Sequence, residues 1–309
     1  MDLEIINVIK NAKNIVIAGH ISPDADSIGA CFAMAHALKN MGKQVWVIMD
    51  KYSDKYKILP GWDFVTQSDI DPDLFISVDC GDEARLGSAI PLFKSTKSLV
   101  IDHHINTGFG DYNYIDTNAS STCEMLFQVI SDLTDITKDI AVCLYSGILT
   151  DTGGFRFKAT SPKTMEVVSQ LLHFDFDFNM IYEKLMFEQT LHQFHGFLSI
   201  LNDYVYDKEL DFVYVTATKE KMSGLGITRN DLDGIINFFN RIKEMKVAAF
   251  AYETDEGNTK VSLRSHSFDV NSIASFFGGG GHKLASGCEF DLTPDKAIEK
   301  IRDKLRELI

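Results

Sequence analysis

Near-continuous apolar runs recur through the first half of the chain, each followed by residues with helical spacing. NIVIA (14–18) reads as a buried strand, and VWVIM (45–49), LFISV (74–78) and SLVI (98–101) are three more strand-like runs. Between and after them the spacing predicts helices from Ser27 to about Met41, over 121–133 and over 139–149. Strands alternating with helices predict βαβ units and a parallel sheet. A helix from Thr164 to His173 and a long helical stretch from about Met180 to Leu201 lead out of this region, with a boundary expected near residue 190.

The second half has a different period. Residues 211–217 (DFVYVTA), 247–253 (VAAFAYE) and 260–266 (KVSLRSH) alternate apolar and polar positions, as half-buried strands do, and TDEGN (254–258) supplies a hairpin turn between the last two. A glycine run at 278–281 and an amphipathic helix over 294–308 complete it. The expected fold is therefore two-domain α/β. A parallel-sheet domain over 1–190, with a connecting helix to about 200, precedes a smaller mixed α/β domain over 201–309.

The chain's 309 residues suffice for two cores, and its formal charge of −14 argues against a sequence-independent duplex binder held by a broad basic face. No apolar run reaches the ~18 residues of a membrane span. The start, MDLEIINVIKNAKN, is acidic and has no apolar segment with a cleavage site, so no export signal is expected. Cys31, Cys80, Cys123, Cys143 and Cys288 are odd in number and form no CxxC pair. A disulfide framework or zinc ribbon is not expected, and a reducing cytoplasm is.

Candidate chemistry gathers after the strands. His20, Asp24 and Asp26 follow the first strand, Asp79 closes LFISV, and Asp102, His103 and His104 close SLVI. In a parallel sheet those ends share one edge, where open α/β folds bind ligands. Carboxylates and imidazoles on one turn are the donors that hard or borderline divalent ions take. The plain alternative for the first segment is that Asp26 or Ser27 caps the following helix. Asp151, in GILTDTGGF (147–155), follows a helical run whose end disfavours an acid unless a cation offsets it, although it could equally start a turn. In FFGGGGHKLASG (276–287) the glycines read either as a flexible link or as a turn that opens into a helix and offers N–H groups to an anion.

In their order and spacing, GHISPDADSIGA (19–30), SVDCGD (77–82), IDHHI (101–105) and GILTDTGGF resemble the four metal motifs of the DHH phosphoesterases. The resemblance implies two divalent cations, most often Mn2+, with Mg2+ or Co2+ as alternatives. His20, Asp24 and Asp79 would hold one, and Asp26, Asp79, His103 and Asp151 the other, with Asp79 bridging. Asp102 would orient a histidine and His104 would face the substrate or leaving group, so Asp102, His103 and His104 are the expected catalytic residues. Paired ions about 3.5–4 Å apart activate water and clamp a phosphate. Their charge would also let an acidic protein accept a phosphate.

The glycine run resembles the GGGH motif of the DHH-associated C-terminal domain, and VSLRS (261–265) resembles its arginine-bearing strand. That implies substrate binding by Arg264, Gly279, Gly280, Gly281 and His282, although an exposed strand arginine is the plain alternative for Arg264. In the family the active site lies in the cleft between the two domains. The chain most resembles the stand-alone NrnA-type enzymes, which degrade short oligoribonucleotides (nanoRNA, down to dinucleotides) and dephosphorylate 3′-phosphoadenosine 5′-phosphate (pAp). It resembles less the longer RecJ-type exonucleases or the membrane cyclic-dinucleotide phosphodiesterases. A metal-dependent hydrolase acting on short RNA or DNA fragments and pAp is the leading expectation. Cleavage of cyclic di-AMP or its linear product pApA, and a non-catalytic nucleotide sensor, are the alternatives. Polarity of attack, base preference and oligomeric state, a homodimer included, are left open.

Overall fold

In the computed structural model, which describes residues 3–66, 70–105, 108–232 and 234–309, the apolar runs of the first half become parallel strands. They are β1 (Asn14–Ala18), β2 (Gln44–Ile48), β3 (Leu74–Val78) and β4 (Ser98–Asp102), joined by β5 (Tyr112–Ile115) in the order β2-β1-β3-β4-β5. The pattern did not announce β5, an edge strand of four half-exposed or exposed residues. The central strands β3 and β4 are buried at every position, whereas β2 at the other edge is mostly not.

Helices cover both faces. On one lie α1 (Leu3–Asn11), α2 (Ala25–Asn40), α4 (Thr122–Leu133) and α5 (Lys138–Asp151); on the other lies α3 (Ile90–Ser95). Alternate β1 residues serve the two cores: Ile15 and Ile17 join the larger, Val16 and Ala18 the smaller. Further helices α6 (Pro162–Leu171) and α7 (Phe178–Met186) add Val167, Val168, Leu171, Ile181 and Leu185 to the larger core. Close helix packing there depends on small residues. A Cβ on Gly147 of α5 would come 2.4 Å from Cys123 Sγ and 2.5 Å from Asp26 Oδ1.

The chain divides into two compact units, Met1–Glu188 and Gln189–Ile309. Where the spacing predicts one helical stretch from 180 to 201 there are two helices, because Thr190 and Gln193 form a capping box that starts α8 (Leu191–Leu201) afresh. The second unit also contains α9 (Lys219–Gly224), α10 (Ile235–Phe238), α11 (Val270–Phe276) and α12 (Pro294–Leu308). Its strands β6 (Val205–Asp207), β7 (Phe212–Ala217), β8 (Val247–Glu253), β9 (Thr259–Arg264), β10 (Gly280–His282) and β11 (Ala285–Phe290) run β10-β11-β9-β8-β7-β6. Only the β7–β8 pairing is parallel.

The glycine run does not open a helix. It terminates α11 and enters the β10–β11 hairpin, with Gly278 at φ +77° as the helix stop. A Cβ on Gly279 would lie 2.1 Å from the Gly287 carbonyl oxygen, so the backbones are too close for a side chain there.

Candidate metal centre

Strand order decides the layout of the site. The sheet reverses its winding between β1 and β3, and open parallel sheets leave a crevice beyond the strand ends at such a point. Asp79, one residue past β3, stands between the end of β1, which leads to His20, and the end of β4, which carries Asp102, His103 and His104. Its two oxygens face different neighbours. Oδ2 lies 3.6 Å from His20 Nε2, and Oδ1 lies 3.7 Å from both His103 Nε2 and His104 Nδ1. Asp79 also adopts φ +53°, a left-handed conformation that an aspartate tolerates at a cost of about 1 kcal/mol and that is typical of constrained sites.

Three overlapping groups have donor atoms within 4.8 Å of one another: His20, Asp24 and Asp79; Asp26, His103 and Asp151; and Asp79, His103 and His104. His20 is buried, and its Nδ1–H donates to the Ile21 carbonyl at 2.7 Å, leaving Nε2 toward Asp24 (3.9 Å) and Asp79. Asp24, rather than Asp26 or Ser27, is the N-cap of α2 and accepts from the backbone N–H groups of Asp26 and Ser27 at 3.0 and 3.1 Å. Asp26 is thereby freed from capping its own helix. Its carboxylate instead takes the N–H of Thr122 at 2.7 Å and of Cys123 at 3.0 Å, at the N-terminus of α4. Asp151 ends α5 and reaches His103 Nε2 at 3.2 Å, so the acid at a negative helix pole does have a cationic partner. Asp102 is fully buried and accepts from His104 Nδ1–H at 2.8 Å. The histidine that Asp102 orients is thus His104, whose side chain is 42% exposed.

Neither Thr122 nor Cys123 was singled out by sequence reasoning. The Ser121-x-x-Glu124 spacing signals a helix start, and Ser121 does cap it, but nothing local says where that helix end points.

The electrostatics are those of a cluster awaiting positive charge. Burial and the Asp151 carboxylate push Asp26 up to about 7, and burial with Asp26, Asp24, Asp151 and Asp102 pushes Asp79 well above the usual carboxylate range. Burial opposes charge on His103, but the Asp151 carboxylate, with Asp26, outweighs it and raises the imidazole to about 9. Burial likewise opposes charge on Asp24 and Asp102. The nearby His20 imidazole with the Ser27 and Asp26 N–H groups for the former, and the hydrogen bond from His104 for the latter, outweigh it, and both stay below the ordinary value. Among the described residues, the ion-pair partners of Asp24, Asp79 and Asp151 are histidines. A divalent cation among these carboxylates would offset the charge that burial disfavours. Oxygen and imidazole donors in overlapping groups of three suit hard or borderline divalent ions.

In the second unit, sheet register pairs His282 with Ala285, Ala285 with Arg264, and Arg264 with Ala248. His282 and Arg264 therefore share one face, on either side of a methyl group. The next row on that face is Gly280, Gly287 and Ser262, which leaves a nearly bare floor. Arg264 is half-buried, its Nη1–H donates to the Leu263 carbonyl at 2.9 Å, and burial lowers its pKa without discharging a guanidinium. Gly281, at φ +142°, sits within the same hairpin.

Residues 14–148 match the DHH family, N-terminal domain, and residues 211–309 match the DHHA1 domain. The chain is 29% identical over 290 residues to the probable bifunctional oligoribonuclease and PAP phosphatase NrnA of Streptococcus mutans, covering 92% of this chain and 91% of that one. It is also 29% identical over 312 residues to the bifunctional oligoribonuclease and PAP phosphatase NrnA of Thermus thermophilus, covering 95% and 89%. Among solved structures it is similar to an exopolyphosphatase-related protein from Bacteroides fragilis, with a TM-score of 0.88, 28% identity, and 98% and 95% of the two chains covered.

Proposed function

Because this chain belongs to the DHH family of metal-dependent phosphoesterases, with a DHHA1 domain after the DHH domain, we propose that it hydrolyses short oligoribonucleotides, down to dinucleotides, to mononucleotides and converts pAp to AMP. The observation that supports this reading most is the pair of donor groups meeting at Asp79, one oxygen toward each. The substrate class follows the names of the relatives. A formal charge of −14 agrees with it, since an extended track for a long phosphate backbone needs many cationic side chains.

In this proposal His20, Asp24 and Asp79 hold one Mn2+, and Asp26, Asp79, His103 and Asp151 hold the second. When bound, such ions supply the positive charge that activates water and withdraws electron density from a phosphate. The protein does the rest. His20 is fixed in one tautomer by the Ile21 carbonyl, which can only accept. Asp102 holds His104 by Nδ1–H, so Nε2 is the nitrogen that hands a proton to the departing oxygen. Arg264 and His282 grip a phosphate, the guanidinium fork matching two of its oxygens. All five cysteines are free, buried thiols, which supports a reducing cytoplasmic setting. Among the described residues no helix is long and apolar enough to cross a membrane.

The test is a turnover comparison on ion-stripped protein with Mn2+ restored, using a labelled diribonucleotide, pAp, pApA, cyclic di-AMP and a long RNA. Mononucleotides from the dinucleotide and AMP plus phosphate from pAp, with the long RNA slower, is the expected result. Equal or faster turnover of long RNA, or nucleotide binding without product, overturns the proposal. Preference for cyclic di-AMP or pApA reassigns the substrate.

A further inference from the structure

Thr122, at the first position of α4, has a buried side chain that the mechanism above does not use. Its hydroxyl donates to Asp79 Oδ1 at 3.1 Å, while its backbone N–H donates to Asp26 Oδ2 at 2.7 Å. One residue therefore holds a carboxylate arriving from the end of β3 and another arriving from α2. The two bonds differ in kind. Asp26 is gripped by main chain, with Cys123 N–H on its second oxygen, and no substitution at 122 other than proline removes that grip. Asp79 depends on the side chain.

Orientation is what the hydroxyl controls. Asp79 Oδ2 faces His20, and Oδ1 faces His103. A carboxylate turns easily about its last bond, which is broad and roughly two-fold, so nothing intrinsic to aspartate keeps one oxygen on each side. A donor fixed on Oδ1 by the fully buried Thr122, in the first turn of an N-capped helix, does so. We infer that Thr122 is a positioning residue whose hydroxyl holds the shared Asp79 carboxylate across the two donor groups, chiefly for the ion on the His103, Asp26 and Asp151 side. The inference rests on the reading that this site takes two divalent ions.

Mn2+ titration of the ion-stripped full chain tests it, followed by calorimetry and by electron paramagnetic resonance, with circular dichroism as the check of folding. Wild type should bind in two steps and give the spectrum of a coupled pair. Thr122→Val keeps the shape and the backbone grip on Asp26 but loses the hydroxyl. It should weaken one step by about 10- to 100-fold, the range seen when a group orienting a ligand is removed, and leave the other within about threefold. At intermediate Mn2+ it should show isolated rather than coupled ions. Thr122→Ser restores the hydroxyl and should restore both constants to within about threefold, whatever it does to stability. Should Thr122→Val not fold, Thr122→Ala is the second hydroxyl-free variant. Two unchanged steps in the hydroxyl-free protein, equal weakening of both, or a serine variant as weak as valine each overturn the role of Thr122. A wild-type protein that takes up fewer than two ions instead overturns the two-ion reading beneath it.

Discussion

Stripping the divalent ions should make the first unit lose stability as pH rises, and the sign follows from two groups. Asp26 has an ordinary value of 3.8 when unfolded and about 7 when folded, because burial and Asp151 disfavour its charge. Between those values the native state carries a proton that the unfolded chain has released, so stability falls with rising pH, by about 4 kcal/mol across the window. His103 moves from 6.5 to about 9 through Asp151 and Asp26, which outweigh its burial. Its contribution is fully present below 6.5 and is lost as pH climbs through 9, worth about 3 kcal/mol. Asp151 acts on both, so the two losses overlap. The net fall from pH 4.5 to 9 should be at least about 3 kcal/mol. His36 works the other way, since burial lowers its pKa and unfolding gains a proton below 6.5, but it is one group against three, because burial and the neighbouring carboxylates also raise Asp79. Asp24 and Asp102, held low by His20 and His104 against burial, lose their contribution only as pH falls below the ordinary carboxylate value.

Urea denaturation at pH 4.5, 6, 7.5 and 9 measures this directly. Both tryptophans, Trp46 and Trp62, lie in the first unit, so their fluorescence reports that unit alone. Adding Mn2+ at pH 7.5 should raise the midpoint, because the ion takes over what protons do at low pH and binds only the folded state. Asp151→Asn removes the charge that raises both groups and should make the ion-free profile shallower. A flat or rising profile from pH 4.5 to 9, or one that Asp151→Asn leaves as steep as before, would refute the reasoning.

Gly147→Ala would place a methyl 2.4 Å from Cys123 Sγ and 2.9 Å from the Asp26 Cα, so it should cost about 1–3 kcal/mol and weaken Mn2+ binding by dislodging Asp26; unchanged urea midpoint and Mn2+ titration would show that the helices have room. Asp79→Ala and Asp102→Ala should both abolish turnover, but only the former should also lose bound Mn2+, because Asp102 acts through His104; elemental analysis beside the rate assay separates them. Arg264→Ala should raise KM or relax fragment selectivity with metal content intact, and loss of metal in that variant would mean that the roles of the two units are assigned wrongly.

Local pattern alone determined a good part of this protein. Continuous apolar runs read as strands, and the turns that end them carry the polar residues that come next, so His20, Asp79 and the Asp102–His104 run were visible as candidates before any coordinates. In the second half the alternation likewise marked β7, β8 and β9. The neighbourhood of those ends was not visible. That β3 lies between β1 and β4, which makes Asp79 the shared carboxylate, is a choice of strand pairing. Such pairing is settled by how whole surfaces fit and not by the period of any one run.

The same limit applies to the grip on Asp26, made by N–H groups 96 and 97 residues away, since where a helix end points depends on what the helix packs against. Four consecutive glycines announce that side chains are excluded, but only the approach of the Gly287 carbonyl shows that a hairpin, not a helix start, excludes them. Sequence carries residue chemistry and local period, because both are properties of a few adjacent residues. Tertiary structure decided which of those residues share a charge, because that depends on contacts across long stretches of chain, and burial there sets how costly the charge is.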